Sequence, residues 1–178
     1  LYDLLCLGLP WDQVDESICA KPLEWSGKTL GRFMRFFGPI SSVFDIITFA
    51  YLFFVLCPAV CGGTFASLSG SGEQARFIIL FQTGWFLESM WTQVLILHLL
   101  RTQKVPLLQS RPSRPVMVVT LLGTAVFTLL TFTPMGEWIG LTALPPVYFV
   151  FLAVTVFFYL LWVTLAKRWY IRRYHELL

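Results

Sequence analysis

The chain has 178 residues, of which 57% are hydrophobic, 17% aromatic and only 13% charged, with a net charge of +3 and a mean hydropathy of +0.72. A soluble domain carries roughly 25% charged and about 45–50% apolar residues, so this composition excludes an ordinary soluble domain and points to an integral membrane protein. No secretory leader is visible near the start, which lacks both a basic segment and a small-residue cleavage pattern.

The chain opens as "LYDLLCLGLP", inside an apolar run and without a methionine. It therefore reads as a piece of a longer chain, with residues 1–9 the tail of a membrane helix. Residues 10–35 form a charged loop. A bilayer-spanning helix needs about 20 mostly apolar residues, and four stretches then meet that length: 36–56, 77–100, 115–133 and 145–166. Pro115 and the Pro145–Pro146 pair fit the first turn of a helix, where no backbone donor is lost. The expected fold is all-α, a polytopic transmembrane bundle of four full spans plus the tail of a fifth, ending in a tail at 167–178.

Lys and Arg number 4, 1, 4, 0 and 4 in successive inter-span segments. By the positive-inside rule the 10–35 loop, the 101–114 loop and the C-terminal tail are cytoplasmic, and the 57–76 and 134–144 loops face out. Trp138, Tyr148, Trp169 and Tyr170 lie near span ends, where interfacial anchors belong. Cys57 and Cys61 form a C-x3-C pair in the outer Gly/Ser-rich loop. With Cys6 and Cys19 they do not make a four-ligand zinc site. A short disulfide is one reading of the pair and two free thiols the other.

A charge at mid-bilayer costs about 2.5–3.5 kcal/mol on insertion scales, so each polar residue in a span calls for a reason. Asp3 lies seven residues before Pro10, roughly 10 Å of helix. It is the main candidate for a cation ligand or proton carrier, against a carboxylate that snorkels or pairs with a neighbouring helix. Asp45 shares a helix face with Ser41 and Ser42, a face that could bind an ion or serve as a close interhelical contact. Glu88 and Gln93 are about 140° apart on their helix and need not share a face. Glu88 has Thr92 at i+4, and Gln93 offers an amide oxygen to a cation or a neighbour. His98 reads as an interfacial histidine. No phosphate-cradling glycine loop, Ser/His/Asp set or H-E-x-x-H is present, so no enzyme chemistry is visible in the chain itself.

Three long segments, "LYDLLCLGLPWDQVDESICAKP", "LGRFMRFFGPISSVFDIITF" and "FQTGWFLESMWTQVLILHLLRTQKVP", closely resemble the C-terminal membrane region of the magnesium-translocating P-type ATPases. The similarity covers nearly the whole chain and is weakest in the outer loops and last span. It implies the end of helix 6 followed by helices 7 to 10 of a ten-helix pump in the bacterial inner membrane, with a cytoplasmic C-terminus. It implies magnesium as the transported ion, membrane lipid and the preceding part of the same chain as partners, and no nucleic acid. ATP and its magnesium would be bound, and an aspartyl-phosphate formed, in cytoplasmic domains ahead of residue 1, so that this piece alone would be inactive. Asp3 matches the acidic cation ligand of helix 6 in that superfamily, and Gln93 a helix 8 position near the ions in related pumps. Asp45 belongs to the helix 7 motif, and with Glu88 completes the set of cation candidates. The acidic run Asp12, Asp15 and Glu16 falls in a loop that touches the phosphorylation domain in related pumps; a solvated charged loop is the other reading. The competing function is a small non-enzymatic four-helix membrane scaffold or partner subunit.

Overall fold

The computed structural model describes Pro10, Asp12 and residues 27–100 and 112–174, and among these the chain is helical with no strand. Six α-helical segments follow in order: α1 (Gly27–Tyr51), α2 (Cys57–Cys61), α3 (Ser71–Leu100), α4 (Arg114–Leu130), α5 (Pro134–Trp138) and α6 (Pro146–Tyr174). A π-helical turn, Leu52–Leu56, joins α1 to α2 without a break. In it the Cys57 amide donates to the Leu52 carbonyl, five residues back. Pro58 follows at once. A proline inside a helix lacks a donor and its ring crowds the carbonyl four residues earlier, and a widened turn relieves that crowding.

Two helical stretches are long and apolar enough to cross a membrane, Gly27–Cys61 and Pro146–Tyr174, and Arg114–Leu130 is a shorter apolar helix. The 35 residues of Gly27–Cys61 extend about 52 Å, well beyond a hydrocarbon core of about 30 Å. Helix therefore continues where loop was expected: residues 27–35 belong to α1, 71–76 to α3 and 167–174 to α6. For 27–35 and 167–174 the reason is tertiary packing at one end of the bundle. Phe36 stacks on Trp169 with centroids 5.2 Å apart, and the Arg32 guanidinium lies 4.7 Å over the Tyr174 ring. The expected helix starts at Pro115 and Pro146 are observed, one residue inside α4 and at the head of α6.

Contacts between the helices fix their directions. Phe44 meets Tyr159 and Tyr51 stacks on Phe151, so α1 and α6 are antiparallel. Phe53 meets Phe77 while Phe49 meets Phe81, so α1 and α3 are antiparallel. The indole of Trp91 donates to Thr128 at 3.2 Å, and His98 bonds Thr120 at 2.8 Å, which makes α3 and α4 antiparallel. Lys167 Nζ donates to the Leu99 carbonyl at 2.6 Å and Tyr148 to that of Gly84, which makes α3 and α6 parallel. Helix α3 is central and packs on α1, α4 and α6. Lys28, Arg32, Arg35, Arg114, Arg168, Arg172 and Arg173 gather at one end of this alternating bundle, as the charge count along the sequence requires.

The core has two apolar clusters. One is built on Leu52, Leu56, Phe77, Leu87 and Tyr148, the other on Phe37, Leu99, Tyr159, Val163 and Tyr170. Tyr148 and Tyr170 are thus fully buried core residues rather than interfacial anchors, whereas Trp138 and Trp169 face outward. Both tyrosines sit near helix ends in sequence, but their rings fill the seam between α6 and its neighbours. Cys57 and Cys61 lie on α2 as free thiols, Cys57 buried; the loop that follows begins only at Gly62. That glycine caps α2 with φ +79°, a left-handed conformation glycine adopts without steric cost.

Candidate functional site

Between the two apolar clusters the bundle turns polar. Asp45 lies about half-way along the continuous Gly27–Cys61 helix, 18 residues after Gly27, and Glu88 just past the middle of α3, 17 residues after Ser71. Helix α1 turns Asp45 toward α3, where its carboxyl is within hydrogen-bonding reach of both the Trp85 side chain and the Glu88 carboxyl. The indole N–H has no acceptor role, so it donates to Asp45. Asp45 is half-buried, while Glu88 is only 1% exposed. Glu88 Oε2 is fully enclosed and has no hydrogen-bond partner among the described residues. Two ionised carboxylates are acceptors only, so their approach leaves that oxygen without a donor.

Helix α6 closes the site. The Tyr148 hydroxyl donates to the Gly84 carbonyl and is met by the Glu88 backbone amide. One side of the ring packs against Gly84, where a Cβ would stand 3.3 Å from Tyr148 Cε2 and 2.6 Å from Leu52 Cδ2. Gly84 therefore lets α1 and α6 approach α3 one turn before Glu88. Tyr159, 1% exposed, is hydrogen-bonded to the Ser41 side chain. Thr92 Oγ1 donates back to the Glu88 carbonyl at 3.0 Å, and Ser42 Oγ to that of Gly38 at 3.3 Å. Thr48, one turn beyond Asp45, is fully buried with an unpartnered hydroxyl oxygen among the described residues.

The structure thus brings together Asp45 and Glu88, which the sequence offered as separate candidates. Gln93 is exposed on another face of α3, apart from the pair. Asp3 lies outside the described residues, as do Asp15 and Glu16. Asp12 is described: its Oδ1 accepts from the Ser113 amide at 2.7 Å, at the head of α4. His98 is buried between α3 and α4 on Thr120 rather than interfacial. Trp85, Tyr159 and Gly84 escaped notice in the sequence, and Tyr148 was read there as an interfacial anchor. The spacing Gly84, Glu88, Thr92 marks one face of α3 at i, i+4 and i+8, and was the available signal. Among the described residues no group of three or more His, Cys, Asp or Glu side chains could hold a metal ion.

Among the described residues, an all-helical apolar bundle with two helices long enough to cross a membrane and a buried acidic pair fits a helical membrane region. The comparisons give the family. The family described as "Cation transporting ATPase, C-terminus" matches residues 1–169, and the chain belongs to it. It is 41% identical over 176 residues to a Magnesium-transporting ATPase, P-type 1 of Salmonella typhimurium (strain LT2), covering 99% of this chain and 18% of that protein. It is 38% identical over 174 residues to the protein of the same description from Escherichia coli (strain K12), covering 98% and 18%. The chain therefore spans about a fifth of the length of these relatives.

Proposed function

We propose that this chain is the C-terminal transport-domain part of an ATP-driven, magnesium-importing P-type ATPase, with four membrane spans and its basic end in the cytoplasm of a bacterial inner membrane. The observation that carries the reading is the near-complete match to magnesium-transporting relatives. The clustering of basic residues at one end of the bundle supports the orientation. ATP hydrolysis belongs to parts of the protein outside this chain. The chain contributes supporting helices and one side of the cation path.

Asp3 is the residue proposed to touch the ion, with Gln93 a second donor on the face α3 leaves uncovered. Magnesium takes near-octahedral oxygen coordination at about 2.0–2.1 Å and keeps several waters, so one or two carboxylates with amide oxygens suit it. The Asp45–Glu88 pair suits it less well: the hydroxyls of Thr92, Tyr148 and Tyr159 are bonded elsewhere, Asp45 takes an indole N–H, and Thr48 one turn away offers a single unpartnered hydroxyl oxygen among the described residues.

The test is magnesium uptake by the full-length protein with Asp3→Asn. Uptake should fall at least tenfold at equal expression; wild-type uptake would sink the assignment. The chain by itself should neither hydrolyse ATP nor bind magnesium tightly, and micromolar binding by calorimetry would contradict that.

A further inference from the structure

We infer that Asp45 and Glu88 hold one proton between them, making a proton-binding site at the α1–α3–α6 junction. The two carboxyls meet side to side. Glu88 Oε2 is enclosed without a donor, and only a proton or a cation can occupy the space between two acceptors. Among the described residues no Lys, Arg or His supplies the counter-charge. His98 is ten residues further along α3 and is engaged with Thr120.

The surroundings select the proton over a metal ion. The titratable groups facing the pair are the Tyr148 and Tyr159 hydroxyls from α6, with Tyr51 of α1 beyond Tyr148. Tyr148 donates its proton to the Gly84 carbonyl, and Tyr159 is tied to Ser41. From α3 itself Trp85 directs an N–H at Asp45, where a cation would meet a donor hydrogen. Helix α4 approaches α3 through the Trp91–Thr128 and His98–Thr120 hydrogen bonds. Apolar clusters lie along the bundle on either side. Among the described residues the two carboxyls and the unpartnered Thr48 Oγ1 one turn along α1 fall short of the six-fold shell of a hard divalent cation, whereas a proton needs only the two carboxyl oxygens that face each other. Two carboxylates sharing a site and one proton are a recurrent solution to this crowding. The pair then carries one negative charge, steadied by the Trp85 N–H on Asp45, and the proton sits on the Glu88 side. A movement that separates α1 from α3 would take the negative Asp45 away from Glu88 and favour release of the proton, so the site links helix packing to proton binding.

The test uses the full-length protein in detergent, studied by infrared spectroscopy at neutral pH, first in magnesium-free buffer and then with millimolar magnesium. Wild type should show the carbonyl stretch of a protonated carboxylic acid with and without magnesium, and Glu88→Gln should lose that band. Unfolding wild type in a buffered indicator should release one proton more than unfolding Glu88→Gln. The wild-type spectrum stands even where the variant folds poorly. The inference is overturned by a wild-type spectrum without the band, by an undiminished band in Glu88→Gln, or by removal of the band on adding magnesium, which would assign the pair to the cation. None of these readouts depends on transport, so failure of the Asp3 assignment and failure of this one are separate results.

Discussion

Replacing Gly84 by alanine would drive a methyl group into a contact that has no room for it. The new carbon would stand 2.6 Å from Leu52 Cδ2, 3.1 Å from Leu52 Cδ1 and 3.3 Å from Tyr148 Cε2, against an optimal carbon–carbon separation of about 3.5–4.0 Å. Neither neighbour can swing away, because both are fully buried. Leu52 opens the π-helical turn, and the Tyr148 hydroxyl is anchored to the Gly84 carbonyl itself. Overpacking of this kind costs about 1–3 kcal/mol. Leu52→Ala alone should cost about 2–5 kcal/mol by leaving a cavity. In the double variant the methyl group added at position 84 occupies part of that cavity, so the combined loss should fall short of the sum by about 1–2 kcal/mol. Reversible unfolding of the full-length protein in mixed micelles measures all four corners of the cycle. Additivity within about 0.5 kcal/mol would refute the claim that Leu52 is what Gly84 makes room for.

Two further substitutions probe the basic end of the bundle. Lys167→Met keeps the volume of a 3% exposed side chain but removes the ammonium that donates to the Leu99 carbonyl; it should cost about 1.5–3 kcal/mol and speed amide exchange in the last turn of α3 relative to its middle. Asp12→Ala removes the acceptor for the Ser113 amide; a loss of about 1 kcal/mol should appear as faster exchange at Ser113 with little change in α6.

Much of the bundle was legible because membrane spans are written in local composition. The apolar stretches, the prolines at the heads of α4 and α6, and the separation of basic from neutral loops need no knowledge of tertiary contacts. Helix ends were less legible. Residues 27–35 and 167–174 carry Lys and Arg and look like loop, yet Phe33, Phe36 and Phe37 pack on Trp169 and Tyr170 and carry the helices onward. The same contact bias misled the reading of Tyr148 and Tyr170, because position near a span end does not say which way a ring points.

The pairing of Asp45 with Glu88 was not legible, although both residues stood out as buried acids. They are 43 positions apart, and whether they meet depends on the rotation of two helices about their own axes. That rotation is set elsewhere. The π-helical turn before Pro58 adds to the helix a residue that an α-helical count does not include, and its first residue, Leu52, packs against Gly84. Gly84 in turn admits the Tyr148 ring, whose hydroxyl reaches the backbone beside Glu88. A proline and a glycine that drew no notice in the sequence, and a tyrosine read there as an interfacial anchor, thus fix the faces that α1 and α3 present to each other. The acids supply the chemistry of the site, but its existence rests on this apolar contact one turn away, which is why a methyl group at position 84 should disturb a carboxyl pair it does not touch.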